Sequence, residues 1–240
     1  MPAAPLAERL IGNLPLFKQV AREHIALLAK HATIHRLKRG GIVCRRGEPL
    51  ECFFAVSYGQ VKLVLRADNG EERVLRIVGS GDTFGEALAL RPRPNPLDAV
   101  ALSDVLVIEL PARQVNAVLE RDAHFARGMF ARLAERMHQL VAEIETGTLL
   151  NARQRIASYL TGLAGGASRV RLPVTKTLIA SQLGVTKETL SRLLREFSDH
   201  GLIHVHNRNI IVRDRARLAA VAHPVQDRFS DKPASGSSSP

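Results

Sequence analysis

Four side chains in the stretch TKETLSRLLREF share one helical face: Lys187, Glu188, Ser191 and Arg192 are separated by three and four residues. All four suit the edges of base pairs. An arginine gives a guanine two parallel hydrogen bonds, a glutamate accepts from a cytosine amino group, and a serine meets a thymine edge. The bland alternative is a solvated Glu188–Arg192 ion pair worth about 0.2–0.5 kcal/mol. The two readings are compatible, because such a pair also orients the guanidinium.

That helix needs a partner to present it. Upstream lie Ala180, small enough for two helices to touch, Gly184 at a turn, and Leu190 returning to a shared core. This is the spacing of a helix-turn-helix. Downstream, GLIHVHNRNIIV reads as a hairpin wing. Around them, a helix from Asn151 to Leu163 broken by AGGAS precedes the order strand, helix, turn, helix, strand, turn, strand.

Charge supports a polyanion partner. The 240-residue chain carries a formal net charge of +11. From Asn151 onward there are 14 Lys and Arg against 6 Asp and Glu, so most of the excess lies in the last third.

A second constellation is DTFGEALALRPRPNPLDAVAL, residues 82–102, which opens like a phosphate-holding loop and runs into prolines 92, 94 and 96. Its setting is β-rich. Residues 34 to 110 carry short alternating runs punctuated by glycines, such as QVKLVLR with Val61, Leu63 and Leu65 on one face. ADNGEE reads as a hairpin turn through Asn69-Gly70, and REHIALLAKHA as a short amphipathic helix. After Pro111 the period lengthens. Phe130, Leu133, Met137, Leu140 and Ile144 follow the alternating three- and four-residue spacing of a coiled-coil seam, which predicts a parallel homodimer. Beyond His223 the Pro/Ser-rich tail predicts disorder.

Composition bounds the rest. With 45% hydrophobic residues the chain is globular. No apolar run approaches eighteen residues and the start lacks a signal-peptide pattern, so a cytoplasmic protein with no membrane span is expected. Cys44 and Cys52 read as buried free thiols, too few for a disulfide framework; their redox role is left open by the sequence. No nucleophile–base set, phosphate loop or metal-ligand spacing suggests an enzyme.

Taken together, RRGEP at 45–49, GQVKL at 59–63, GDTFGE at 81–86, ETLSRLL and HGLIHV make the chain resemble the CRP/FNR family of bacterial transcription regulators over about residues 12–222. The resemblance implies an α+β fold. It comprises an N-terminal antiparallel β-roll of the cyclic-nucleotide-binding kind with its N-terminal helix (1–112), a long dimerisation helix (113–148), and a C-terminal winged helix-turn-helix (149–223), followed by a tail (224–240). It also implies double-stranded DNA and RNA polymerase as partners. Glu188, Ser191 and Arg192 match the FNR-type reading set, which implies a TTGAT-like inverted repeat with half-sites about one helical turn apart.

For the roll, the resemblance implies an effector pocket at Phe84, Gly85 and Glu86. In cyclic-nucleotide-binding members a glutamate there takes the ribose and a following Arg-Ser pair takes the phosphate. Asn95 and Pro96 stand at the Arg-Ser positions, and three prolines remove backbone donors, which argues against a cyclic nucleotide unless Arg91 and Arg93 compensate. The missing cysteines argue against an iron–sulfur cluster. The remaining resemblance is to the Dnr-type branch, haem-dependent nitric-oxide-responsive activators of denitrification and nitrosative-response genes. Its haem ligand has no residue match here; by chemistry alone the candidates are His24, His31, His35, His124 and His138. A ligand-free scaffold, with the roll as a protein-interaction surface, is the competing expectation.

Overall fold

The computed structural model describes residues 3–66, 70, 72–91 and 93–222. The tail and the Asn69 half of the hairpin turn therefore lie outside the described residues, as does Pro92. The chain divides into two compact units, Met1–Ile144 and Glu145–Pro240.

In the first unit, helices α1 (Ala3–Gly12) and α2 (Arg22–His31) lead into strands β1 (Thr33–Leu37), β2 (Ile42–Cys44), β3 (Pro49–Leu50), β4 (Cys52–Tyr58), β5 (Gln60–Arg66), β6 (Glu72–Gly79) and β7 (Thr83–Phe84). The short helix α3 (Glu86–Leu90) precedes β8 (Arg93–Pro94), β9 (Asp98–Ala101) and β10 (Val105–Pro111); α4 (Ala112–Leu119) and α5 (Ala123–Leu149) follow. Two antiparallel sheets, ordered β1-β10-β4-β7 and β2-β9-β5-β6, form the roll, and β3 pairs with β8.

Strand β4 decides the layering. Its residues Cys52 to Val56 are all buried, because one face looks into the roll and the other meets helices. Phe54 enters the roll interior and stacks on Phe84 at 4.8 Å, among Val56, Val61, Val78 and Val107. Phe53 packs on the opposite side with Phe17, Phe125 and Leu110, beneath the α1–α2 pair, α4 and the start of α5.

Two sequence expectations need correction. Val61, Leu63 and Leu65 are not buried alike: Val61, Leu63 and Val64 are buried, while Leu65, near the end of β5, is exposed. The β5–β6 register shift between Leu63 and Val64 leaves its extra residue, Leu75, in β6 rather than in β5. The single helix expected over 113–148 is two, α4 and α5, because the buried carboxylate of Asp122 accepts from the Phe125 backbone N–H at 2.9 Å and starts a new helix.

The second unit begins with the end of α5 and continues through α6 (Ala152–Ala164), β11 (Arg169–Arg171), α7 (Lys176–Gln182), α8 (Lys187–Asp199), β12 (Ile203–His206), β13 (Asn209–Val212) and α9 (Arg215–Ala222). Asn151 and Gln154 form a reciprocal capping box that starts α6, and Thr175 and Thr186 cap α7 and α8. Gly184 supplies the left-handed turn between α7 and α8, at φ 63°. Ala180 and Leu190 are both buried at the helix contact, as the helix-turn-helix spacing requires.

Candidate DNA interface and effector pocket

Helix α8 buries Leu190, Leu193, Leu194 and Phe197 and exposes Lys187, Glu188, Ser191 and Arg192. The structure thus brings the four predicted side chains to one solvent face. Glu188 and Arg192 have no ion-pair or side-chain hydrogen-bond partner among the described residues, so the bland ion pair is not formed and both groups are free to meet a ligand. Sequence reading passed over Arg195, exposed seven residues after Glu188 on the same stripe. Its signal was the continued three-and-four spacing. The wing turn uses Asn207 at φ 53°, a conformation asparagine tolerates. Arg208 beside it donates from Nε and Nη2 to the Leu172 carbonyl, at 3.2 and 2.8 Å, which ties the wing to the body.

In the roll, Phe84 is buried against Phe54 and Gly85 begins α3 at φ 84°. A Cβ on Gly85 would lie 3.2 Å from the Cys52 carbonyl oxygen, so both space and backbone demand glycine. Glu86 accepts from the buried Thr83 hydroxyl at 2.6 Å. Arg132 of α5 reaches the same turn, donating to Thr83 Oγ1 at 3.3 Å and the Gly81 carbonyl at 3.4 Å, and Arg76 donates to the Thr83 carbonyl at 3.2 Å. Glu86 is therefore already engaged by the protein's own network.

Asn95 is 5% exposed. Its Nδ2 lies within donor range of the Arg45 and Leu97 carbonyls, at 2.8 and 2.6 Å, and of Cys44 Sγ at 3.3 Å. Its backbone N–H donates to the Glu48 carbonyl and its own carbonyl accepts from the Gly47 N–H. The residue standing where a phosphate-binding arginine was sought thus closes the loop onto β2 and β3. Arg91 and Arg93 are exposed beside it.

A cleft of about 350 Å³ opens between α3, α4 and α5, lined by Leu90, Leu119, Ala126, Met129, Phe130 and Leu133 with Asn116 and Glu120. None of the five candidate histidines lines it. His24 Nδ1 is 2.9 Å from Asp122 Oδ2 and His35 Nε2 is 2.7 Å from Glu109 Oε2, while His31, His124 and His138 are exposed. Cys44 and Cys52 are free and buried; desolvation pushes their thiols up to about 11 and about 12, so both are protonated and weakly reactive near neutrality. Further along α5, Phe130, Met137, Leu140 and Ile144 are exposed, with Val141 between them, and Leu133 is half-buried. No helix among the described residues is long and apolar enough to cross a membrane.

An antiparallel roll followed by a long helix and a winged helix-turn-helix defines the class of DNA-binding transcription regulators. Residues 34–122 match the cyclic nucleotide-binding domain and residues 154–221 the Crp-like helix-turn-helix domain. The chain is 30% identical over 203 residues to the "Probable transcriptional regulator flp" of Lacticaseibacillus casei, covering 82% of this chain and 91% of that protein. It is 26% identical over 219 residues to the CRP-like cAMP-activated global transcriptional regulator of Mycobacterium tuberculosis, covering 88% and 98% of the two chains. The structure of FixK2 from Bradyrhizobium japonicum aligns with a TM-score of 0.69 at 25% identity, covering 79% of this chain and 96% of that one. The chain belongs to the CRP/FNR family.

Proposed function

We propose that the protein is a homodimeric, effector-responsive regulator that reads a TTGAT-like inverted repeat through Glu188, Ser191 and Arg192, with Lys187 at the phosphates. The carrying observation is the unpaired, exposed quartet on α8 opposite a fully buried face. Dimerisation is supported by the apolar stripe Phe130–Ile144, which one chain leaves in water. Helix α5 runs from the first unit into the second, so an effector that biases it in the roll biases DNA binding; a coupling of about 1–3 kcal/mol suffices for a switch. RNA polymerase is the downstream partner in this reading. The test is Arg192→Ala: it should abolish preference for a TTGAT-type duplex over a scrambled one yet keep weak, salt-sensitive binding. Retained preference would refute the assignment.

Two effector readings follow. A cyclic nucleotide is favoured by the cAMP-activated relative. It is opposed by Asn95, whose amide is spent on internal carbonyls, and by a Glu86 held by Thr83. Nitric oxide sensed through haem, with control of denitrification and nitrosative-response genes, rests on the Dnr-type resemblance and gains support from the apolar cleft beside α5. The five histidines do not fit that cleft as ligands, so no haem ligand is assigned and no step is routed through one. An anaerobic absorbance titration with haem and then nitric oxide, beside a thermal-shift titration with cyclic AMP, separates these readings from a ligand-free scaffold.

A further inference from the structure

A groove of about 410 Å³ crosses the second unit where the start of α6, the end of α8 and helix α9 meet. Leu202, buried at 2% exposure, the half-buried Val221 and the exposed Ala220 give it an apolar floor, and Arg153, Arg217 and His200 stand around it. No acid lines it. Acids outside the lining brace two of the cations: Glu196 Oε1 is 2.9 Å from Arg153 Nε, and Asp214 Oδ2 is 3.9 Å from Arg217 Nη1. His200 Nδ1 lies 2.8 Å from the Glu196 carbonyl. A guanidinium carries five N–H donors, so one ion pair leaves each arginine with donors to spare. Arg153 is also held over the Phe197 ring, 5.7 Å from its centroid. The groove has the size of a ligand site. An apolar floor with a cationic rim selects an occupant that carries apolar side chains beside carboxylates.

The chain supplies such a segment at the groove's own edge. Ala220 and Val221 belong to the last turn of α9, and residues 223–240 follow directly. Pro224 has no N–H with which to extend that helix. From Val225 to Asp231 the sequence reads VQDRFSD. In an extended segment alternate side chains share a face, which puts Val225, Asp227, Phe229 and Asp231 on one side and Gln226, Arg228 and Ser230 on the other. The first face is apolar and acidic, matching the groove, and the second carries the cation. A helical period would set Val225 and Phe229 opposite the two aspartates and lose the match. Reach is sufficient, since the seven residues from Ala222 to Phe229 span up to about 25 Å.

We propose that residues 225–231 dock in this groove of their own chain, with Phe229 on the Leu202–Val221 floor and Asp227 and Asp231 at Arg217 and Arg153. Attachment at the groove's edge selects this occupant, because it holds the segment at an effective concentration of about 1 mM that a free acidic peptide must exceed. The docking requires neither DNA nor an effector, so it stands apart from the regulatory reading.

The chain contains no tryptophan, so Phe229→Trp in the full-length protein places a single indole on the proposed contact. Its emission should be shifted to the blue of the free peptide 224–240 carrying the same substitution, and acrylamide should quench it about threefold less, as for a tethered segment that is mostly bound. Asp227→Asn with Asp231→Asn should return quenching to the free-peptide level, and so should Arg217→Gln, each with an unchanged far-UV circular dichroism spectrum. In a second measurement, a chain stopped after His223 should bind the labelled wild-type peptide 224–240 about tenfold more tightly than the full chain, where the tethered segment competes at about 1 mM with a peptide of roughly 0.1 mM affinity. An indole quenched as freely as in the peptide overturns the proposal. So does protection that survives both charge-removing variants, or equal peptide binding by the two chains. Protection that falls on dilution would seat a second copy's segment in the groove and overturn the intramolecular assignment.

Discussion

Thr83 donates its hydroxyl to Glu86 Oε1 at 2.6 Å while Thr83 Oγ1 accepts from Arg132 Nη1 at 3.3 Å, so one buried hydroxyl joins the Phe84–Glu86 turn to the long helix. A hydroxyl has one proton to give, and here it goes to the carboxylate. An effector that claimed Glu86 would release that proton and alter what Arg132 meets. Thr83→Val keeps the shape and removes the link. It should destabilise the protein by about 1–3 kcal/mol, the usual cost of leaving buried polar partners unmatched. A double-mutant cycle with Glu86→Gln, read from denaturant midpoints, should show coupling of about 1 kcal/mol, and strict additivity would mean that the contact carries nothing.

Asn95→Ala should cost about 1–3 kcal/mol, because it removes the buried amide that satisfies the part-buried Arg45 and Leu97 carbonyls. Urea unfolding measures this directly. The same variant should gain no stabilisation from cyclic AMP, since removing the amide supplies no cation. A stability equal to wild type would mean that water replaces the amide and that the loop is looser than its hydrogen bonds suggest.

The helix-turn-helix was legible because its signals are local. Periodicity sorted Leu190, Leu193 and Leu194 from Lys187, Glu188, Ser191 and Arg192, and the burial of each follows that division. The α5 stripe was legible for the same reason: Phe130, Met137, Leu140 and Ile144 are exposed, although Leu133 of the same seam is half-buried and Val141, exposed between them, was not picked out. What sequence missed depends on pairing. Which segments cover Val64 and leave Leu65 in water is a property of the packed sheet, so alternation in β5 alone did not give the burial of either. Asn95 was read only as a missing arginine, because its partner Arg45 lies 50 residues earlier in the chain. Asp122 was not singled out in the sequence. Its N-cap signal, an aspartate before an apolar-periodic run, was there to be used.

Asp122 joins α2 to α5, accepting from the Ala21 N–H at 3.0 Å and the Phe125 N–H at 2.9 Å and pairing with His24. Burial works to raise its pKa, but the His24 hydrogen bond and the two backbone donors prevail and hold it down at about 2. A depressed carboxylate contributes stability above its unfolded value near 4 and loses it as pH falls through the folded value. The contribution should thus be complete at neutral pH and vanish between about pH 4 and pH 2. Asp122→Ala should lower stability by about 2–3 kcal/mol at pH 7, combining a lost cap with a lost charged acceptor. It should also flatten the acid limb of the melting-temperature profile in that window; an unchanged acid limb would remove Asp122 from the account.

Leu140 and Ile144, 44% and 64% exposed, stand one helical turn apart on α5. Leu140→Glu with Ile144→Glu places charges on a stripe that a dimer would bury and a monomer would leave in water. Far-UV circular dichroism should be unchanged, because neither side chain belongs to the core. Sedimentation velocity should show a monomer. Affinity for an intact inverted repeat should fall by about 100-fold or more, since the second recognition helix is no longer delivered at high effective concentration, while affinity for an isolated half-site should hold. A variant that still sediments as a dimer would move the interface off this stripe and require another surface to set the half-site spacing.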